Sequence, residues 1–175
     1  MRILKIKLGR RRSLGCGAFG SYFKLSKNRG VKVLHFEEDD NDSTAELKGS
    51  CSWSEAIEEY KLLKTAERSG CSPKPYAVAV VVSKNTYYAG IVMQHIDGVL
   101  DKDITDEQQE RINDVFGDWK DVSEILYDEL RKCGVKHDDL HNENIIYKFS
   151  KRKIKVYALD FSPYATKYVR KRARK

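Results

Sequence analysis

Two polar segments that flank a pair of predicted strands constrain this chain more than any other feature. The first, at residues 135–144, places Asp139 five positions before Asn144 and leads directly into an apolar, β-rich run. A short polar turn and a second apolar run, residues 154–159, follow, and the second run ends on Asp160. Paired as a hairpin, the two runs make Asn144 and Asp160 face one another. Two oxygen ligands with a third acid nearby suit a hard cation such as Mg²⁺ bound to nucleotide phosphates.

A glycine-rich segment near the start of the chain has the pattern G-x-G-x-x-G at Gly15, Gly17 and Gly20. Glycines there let backbone amides close over a phosphate, because side chains would block the approach. The same pattern opens a dinucleotide-binding unit, in which an acid about twenty residues on binds the ribose, and Glu37 or Glu38 lies near that distance. Only about ten residues separate the motif from the next apolar strand, however, which is too few for a crossover helix. The spacing favours a hairpin.

This first predicted hairpin has strands at residues 22–25 and 31–36, joined by a turn at residues 27–30. Lys32 lies on its second strand. An acidic and polar segment, residues 37–50, follows and is typical of a loop.

A helix is predicted after this loop. Ser52 and Glu55 have the spacing of a capping box, and apolar residues recur at mostly helical spacing as far as about Gly70. Two runs of β-branched and aromatic residues, 76–82 and 86–93, then predict a second hairpin.

Two further helices are predicted in the second half of the chain. Thr105 and Gln108 open the first, which extends to about Phe116. The second ends before Gly134. Its apolar stripe consists of Val122, Ile125, Leu126 and Leu130.

Taken in order, these motifs resemble those of the protein-kinase superfamily. The family's catalytic loop, H-x-D-L-x-x-x-N, is matched from His137 to Asn144, and Asp160-Phe161-Ser162 stands in place of D-F-G. Lys32 falls at the position of the V-A-I-K lysine. The combination of ordered motifs is specific, whereas each motif alone is weak.

The resemblance implies an α+β, bilobal protein-kinase-like fold. Residues 1–96 would form an N-lobe of antiparallel β-strands plus one helix, and residues 97–175 a truncated, mainly helical large lobe with a basic tail. Nothing resembling the A-P-E motif follows Ser162, so we expect no activation segment.

The resemblance also implies the transfer of the γ-phosphoryl group of ATP to a hydroxyl group, with ATP and Mg²⁺ as cofactors. Asp139 would accept or orient the hydroxyl proton, while Asn144 and Asp160 would hold the metal. His137 would be a structural hydrogen-bonding residue that braces the D-F-G segment, and not a base.

Lys32 would anchor the phosphates in an ion pair with a glutamate of the predicted helix. Glu59 aligns best with that glutamate, and Glu58 and Glu55 are alternatives. The three motif glycines would cover the phosphates. At the end of the second hairpin, where the strand would pass into the hinge, Met93 would lie at the back of the adenine pocket, and the backbone of Gln94 and Ile96 would contact the base.

Three positions depart from the protein-kinase pattern. Asp138 replaces the arginine of H-R-D, so we expect no switching through a phosphorylated activation loop. His141 stands where protein kinases carry a lysine that meets the transferring phosphate, which makes it a catalytic candidate. Ser162 replaces the glycine of D-F-G and reduces the backbone freedom there. The pattern D-L-H-x-x-N is similar to that of haspin-like, lipopolysaccharide-kinase-like and other atypical members.

These residues favour ATP-dependent transfer to a serine or threonine hydroxyl of a protein substrate, by a miniature kinase like those of viruses and bacterial effectors. The first alternative is a pseudokinase or binding module that acts through a protein or nucleic-acid partner, because the peptide-docking helices are missing. The second is a small-molecule phosphotransferase, because D-L-H-x-x-N also suits that branch.

The composition is that of a folded protein, since 41% of its 175 residues are hydrophobic. No apolar run is as long as a membrane span, and the first residues build no signal-peptide core, so we expect a cytoplasmic location. The four cysteines stand far apart without a C-x-x-C pair, which predicts free, buried thiols.

Positive charge is concentrated near the two ends. The formal net charge is +7, with three arginines at residues 10–12 and a basic tail at residues 167–175. Such a tail binds nucleic acid or an acidic surface, directs a protein to a nucleus, or simply keeps the chain soluble. A truncated lobe would also leave the apolar stripe at residues 122–130 incompletely covered, which predicts a homodimer or a stabilising host protein.

Overall fold

A computed structural model of the chain confirms the α+β class. It describes residues 2–17, 20–34, 51–84, 86–117 and 119–169. The chain divides into two compact units. The first consists of Met1–Lys61 and Lys74–His95, and the second of Leu62–Pro73 and Ile96–Lys175. Within the described residues, no helix combines the length and the apolar character needed to cross a membrane.

The first unit is built on a six-stranded sheet with the order β1-β5-β6-β4-β3-β2. Its strands are β1 Ile3–Lys7, β2 Gly15–Gly17, β3 Gly20–Ser26, β4 Arg29–Leu34, β5 Pro75–Ser83 and β6 Thr86–Gln94. Both predicted hairpins are present, as β3–β4 and β5–β6. The sheet is antiparallel as predicted except at one edge, where β1 runs parallel to β5. These two strands are far apart in the chain, so no tight turn forces them to be antiparallel.

The strand register separates two faces of this sheet. Cross-strand partners lie on the same face of a sheet, as do residues two positions apart on one strand. Tyr22 pairs with Lys32, and Gly30, two residues before Lys32, pairs with Met93. These four residues therefore share one face. The residues that alternate with them form a buried apolar cluster on the opposite face. Its members include Phe23, Val31, Val33, Ala79, Val81 and Val92.

Helix α1 spans Cys51–Ala66 and continues as a 3₁₀ turn that closes at Gly70, whose φ is 73°. The predicted end of this helix is therefore confirmed. The predicted capping box is wrong, because Ser52 is already the second helical residue and a capping residue has a non-helical backbone. The acidic loop predicted at residues 37–50, with Glu37 and Glu38, lies outside the described residues.

The second unit contains two longer helices and two small sheets. The helices are α2 Asp106–Phe116 and α3 Trp119–Lys132. The strands are β7 Val99–Leu100, β8 Val135–His137, β9 Ile145–Phe149, β10 Ile154–Ala158 and β11 Thr166–Tyr168, in the orders β10-β9-β7 and β11-β8. The sequence predicted only the β9–β10 pair among them.

Helix α2 begins where predicted, and helix α3 ends where predicted. Thr105 caps α2, since its hydroxyl accepts from Gln108 N at 3.4 Å and its N–H donates to Gln108 Oε1 at 3.1 Å. After α3, Gly134 adopts a φ of 90° that favours glycine.

The apolar stripe of α3 is covered by the chain itself. Val122, Leu126 and Leu130 are fully buried, and Ile125 is the exposed member at 38%. Three of the four stripe residues are therefore covered and one is exposed, and a homodimer or a stabilising host protein stays a prediction. Cys71 and Cys133 are free thiols, as predicted, but both are half-buried where burial was expected.

Gly20 is needed by the sheet itself, whatever the segment binds. Its φ is 146°, and a Cβ there would lie 2.3 Å from Val33 O on β4, whereas a Cβ at Gly15 would have no neighbour within 4 Å. We expect Gly20→Ala to cost about 2 kcal/mol or more of unfolding free energy, and to lower the melting temperature by about 4–8 °C. The matched variant Gly15→Ala should melt like the wild type. Equal melting temperatures of the two variants, measured by circular dichroism, would contradict this account.

Candidate active site

The catalytic-loop segment connects β8 to β9 and lies beside the end of β10. The β9–β10 pairing places Ile145 opposite Ala158. One further hydrogen bond, from Leu159 N to Asn144 O at 2.7 Å, extends this pairing beyond the strand ends. The predicted hairpin is thus confirmed, and it brings Asn144 next to the segment that carries Asp160.

The amide of Asn144 is oriented by Asp139. Its Nδ2 donates to Asp139 O at 3.0 Å and to Asp139 Oδ2 at 3.3 Å, and the residue is only 9% exposed. Because a carbonyl oxygen can only accept, the NH₂ group must face Asp139, and Oδ1 faces away. An amide oxygen held in this way fits a hard cation. Within the described residues, no group of three or more histidine, cysteine or acidic side chains is placed to hold a metal ion, so an Asn144 and Asp160 pair stays a prediction.

His137 ties the loop to the segment that carries Asp160. Its Nδ1 lies 3.3 Å from Asp139 N, which can only donate, so Nε2 carries the proton and donates to Leu159 O at 2.8 Å. The ring also meets Phe161 edge-on, with the centroids 5.1 Å apart. The side chain is fully buried. The predicted bracing role of His137 is confirmed by these contacts.

Burial lowers the pKa of His137 below its usual value of 6.5. The unfolded chain therefore binds the proton more readily than the folded one, so the stabilisation by the neutral ring is complete above about pH 6.5 and is lost as the pH falls below it. We expect the unfolding free energy, measured with urea, to fall between pH 7.5 and pH 5.5. His137→Gln keeps a donor for Leu159 O without titrating, so it should lose part of this decrease. The same decrease in both proteins would contradict the prediction.

Asp160 has a strained backbone. Its φ is 53°, and Lys84 is the only other non-glycine residue with positive φ in the described part of the chain. Such conformations cost about 1–3 kcal/mol and cluster at functional sites. Ser162 N donates to Asp160 Oδ1 at 3.3 Å, which helps to hold the carboxylate. The strain falls at Asp160 and not at residue 162, so a serine in place of the D-F-G glycine is accommodated.

The other two departures from the family pattern have different surroundings. Asp138 is exposed, and the hydrogen bond from Lys136 lowers its pKa. His141 lies beside the loop residues, with Nε2 3.0 Å from Asn144 Nδ2 and 3.6 Å from Asp139 Oδ1. Its other nitrogen, Nδ1, lies 3.2 Å from the N–H of Glu143. A neutral imidazole accepts at one nitrogen only, so only one of its two N–H contacts is a hydrogen bond at a time.

In the first unit, Lys32 and Glu59 meet. Lys32 Nζ lies 2.8 Å from Glu59 Oε1 and 3.1 Å from Oε2. The glutamate is 1% exposed, whereas Glu58 is exposed and Glu55 is half-buried. Among the three glutamates considered, the structure selects Glu59 because its position on α1 faces the strand that carries Lys32.

The glycine-rich segment is the β2–β3 hairpin. Gly17 pairs with Gly20, and Gly15 pairs with Tyr22. The two residues at the tip, 18 and 19, lie outside the described residues. Because β2, β3 and β4 are all antiparallel, the dinucleotide-binding alternative is wrong.

The three predicted hinge residues are placed differently from one another. Met93 is buried opposite Gly30 in the sheet. Gln94 already donates its backbone N–H to Lys74 O at 2.8 Å, so it could contact a base only through its carbonyl oxygen. Ile96 belongs to the second unit and is buried there.

Sequence reasoning missed a tie between the loop and the 3₁₀ turn at Asp101–Asp103. Lys102 N donates to Asn142 O at 3.2 Å, and Lys102 Nζ lies 3.0 Å from Glu143 Oε1. The two segments are 41 residues apart, so no local pattern could have shown the contact.

The fold and these local arrangements define a protein of the kinase-like class. The family model that matches the chain is that of the lipopolysaccharide kinase (Kdo/WaaP) family, over residues 42–175. The chain therefore belongs to this family, and its activity is a kinase-type phosphoryl transfer. No curated protein gives a match to it.

The matched range includes α1, the catalytic loop and the Asp160 segment, and it begins after β4. It supports the predicted resemblance to kinases, and in particular to the lipopolysaccharide-kinase-like branch. The prediction of a serine/threonine protein kinase stays a prediction.

Proposed function

We propose that this protein transfers the γ-phosphoryl group of ATP to a hydroxyl group of a saccharide. The observation that carries the proposal is the arrangement of Asp139, held by Asn144 through two contacts and by the N–H contact to His137. The carboxylate remains 45% exposed, so a hydroxyl can reach it. Membership of the lipopolysaccharide kinase family supports a sugar as the acceptor.

In this proposal, the acceptor oxygen forms a bond to the γ-phosphorus while the bond from that phosphorus to the β–γ bridging oxygen breaks, and ADP leaves. Asp139 accepts or orients the proton of the attacking hydroxyl. Lys32, held by Glu59, binds phosphate oxygens. Mg²⁺, when bound by Asn144 and Asp160, supplies neutralisation of phosphate charge.

A serine or threonine hydroxyl is the second candidate acceptor. The loop from His137 to Asn144 follows the protein-kinase pattern, and the exposed carboxylate of Asp139 does not itself distinguish a sugar from a peptide hydroxyl. A binding module without turnover is the remaining alternative.

Incorporation of labelled phosphate from ATP tests the proposal. The acceptors are an intact lipopolysaccharide, its deacylated oligosaccharide and a serine- and threonine-containing peptide library, each with wild type and Asp139→Asn. We expect incorporation into the saccharides by wild type only. Labelling of peptides alone would replace the proposal with the protein-kinase reading, and nucleotide binding without any incorporation would favour the binding module.

Thermal shift separates a nucleotide site from a chance resemblance. A ligand present at a hundred times its Kd adds about 2.7 kcal/mol of stability, so Mg²⁺ with ATP should raise the melting temperature of the wild type. Asp160→Ala should lose most of this increase. An equal increase in both proteins would remove Asp160 from the proposed metal site.

A further inference from the structure

Tyr22 lies directly on the backbone of Gly30. A Cβ at residue 30 would be 2.0 Å from the hydroxyl oxygen of Tyr22 and 2.3 Å from its Cζ, so the phenol occupies the space that a side chain there would need. Gly30 is two residues before Lys32 on β4 and opposite Met93 on β6. The Tyr22 ring therefore covers the strip of the sheet between the phosphate-anchoring lysine and the predicted base-contacting methionine.

The far end of the Tyr22 side chain is held at the hinge. Its hydroxyl lies 3.2 Å from His95 Nδ1, and the two rings are stacked at 20° with centroids 6.0 Å apart. His95 is itself fixed, because its backbone N–H donates to Asn28 O at 3.1 Å. Burial raises the pKa of Tyr22, so its hydroxyl keeps its proton over the physiological range. The Tyr22–His95 contact joins β3 to the end of β6, 73 residues further along the chain.

We propose that Tyr22 blocks the nucleotide site. Its ring occupies the place over Gly30 that the adenine base would take, and the side chain must move away from His95 before ATP binds fully. The inference rests on the proposed function, since it concerns the same nucleotide. A nucleobase has a flat face of the same kind as a phenol, so it can replace the phenol against Gly30, where no Cβ is present. The enzyme would then be closed to the base when empty, while the Lys32–Glu59 pair stays formed.

Removing only the hydroxyl should make opening easier. Tyr22→Phe keeps the ring and loses the hydrogen bond to His95, so we expect the Kd for ATP to fall about fivefold, which is the range of one hydrogen bond. Tyr22→Ala removes the ring as well and should lower the Kd further. Inorganic tripolyphosphate has no base, so its Kd should be the same in wild type and in both variants.

The measurements are Kd values for ATP and tripolyphosphate by titration calorimetry, with Mg²⁺ present and with the full chain. Tyr87→Phe is the matched control, because Tyr87 lies on β6 in the same unit and is exposed. It should bind both ligands like the wild type. Melting curves for each variant establish that it is folded.

The outcomes separate this inference from the proposed function. Tighter ATP binding by Tyr22→Phe with unchanged tripolyphosphate binding supports the inference. Unchanged or weaker ATP binding by Tyr22→Phe would overturn it and leave the nucleotide site intact. Failure of the wild type and of every variant to bind either ligand would overturn the proposed function, and the inference with it.

Discussion

Asp139→Asn is expected to reduce phosphoryl transfer at least a hundredfold while leaving the Kd for ATP within about twofold. A positioned general base contributes about 10²–10⁴ in rate, and an amide cannot accept the proton of the acceptor hydroxyl. The substitution preserves the shape of the site. In the wild type, Asn144 Nδ2 donates to the backbone oxygen of residue 139 at 3.0 Å, and this hydrogen bond would remain in the variant. The side-chain amide oxygen of the new asparagine can replace Asp139 Oδ2 as the second acceptor.

The neighbouring acid provides the control for this variant. Asp138 is exposed and pairs with Lys136 at the surface, where ion pairs contribute little. Asp138→Asn should keep the rate of the wild type in the same assay. A similar loss in both variants would show that the loop is sensitive to charge in general. Full activity of Asp139→Asn would remove Asp139 as the base.

Lys32→Met is expected to cost about 3–5 kcal/mol of unfolding free energy, the usual effect of removing one partner of a buried ion pair. Glu59 is 1% exposed, so the variant leaves a buried carboxylate without the ammonium that now lies 2.8 Å away. The double variant Lys32→Met/Glu59→Gln removes the buried charge as well. It should recover a large part of the stability and none of the activity, because the phosphate anchor is still missing.

Urea unfolding of the single and double variants measures this difference. Lys24→Met is the control, since Lys24 is an exposed lysine on β3 of the same sheet. Its unfolding free energy should stay within about 0.5 kcal/mol of the wild type. A double variant no more stable than Lys32→Met would show that the cost comes from lost packing of the lysine stem, and not from the buried charge of Glu59.

Much of the fold was predictable because its signals are local. The β3–β4 and β9–β10 hairpins follow from apolar runs separated by short polar turns, and both are present. The capping box of α2 depends on two residues three positions apart, so Thr105 and Gln108 could be recognised directly. At Ser52 the same signal failed, because Ser52 lies inside α1 and does not precede it.

The site was predictable in its residue types and only partly in its contacts. The ordered motif from His137 to Asn144 indicated which side chains belong together. It did not show that His137 would donate to Leu159 O, or that the positive φ would fall at Asp160. Both features depend on how the segment after β10 returns to pair Thr166 with His137, a contact between residues far apart in the chain.

By itself, the sequence determined the α+β class, the two hairpins of the first unit and the β9–β10 hairpin after the His137 to Asn144 motif, because each depends on residues close together in the chain. Only the tertiary structure decided that β1 lies parallel to β5, that Glu59 faces Lys32, and that Tyr22 covers Gly30. These contacts join residues far apart in the chain. Packing of whole elements decides which side chains meet, and a single glutamate on α1 or a tyrosine on β3 carries no pattern that reveals its distant partner.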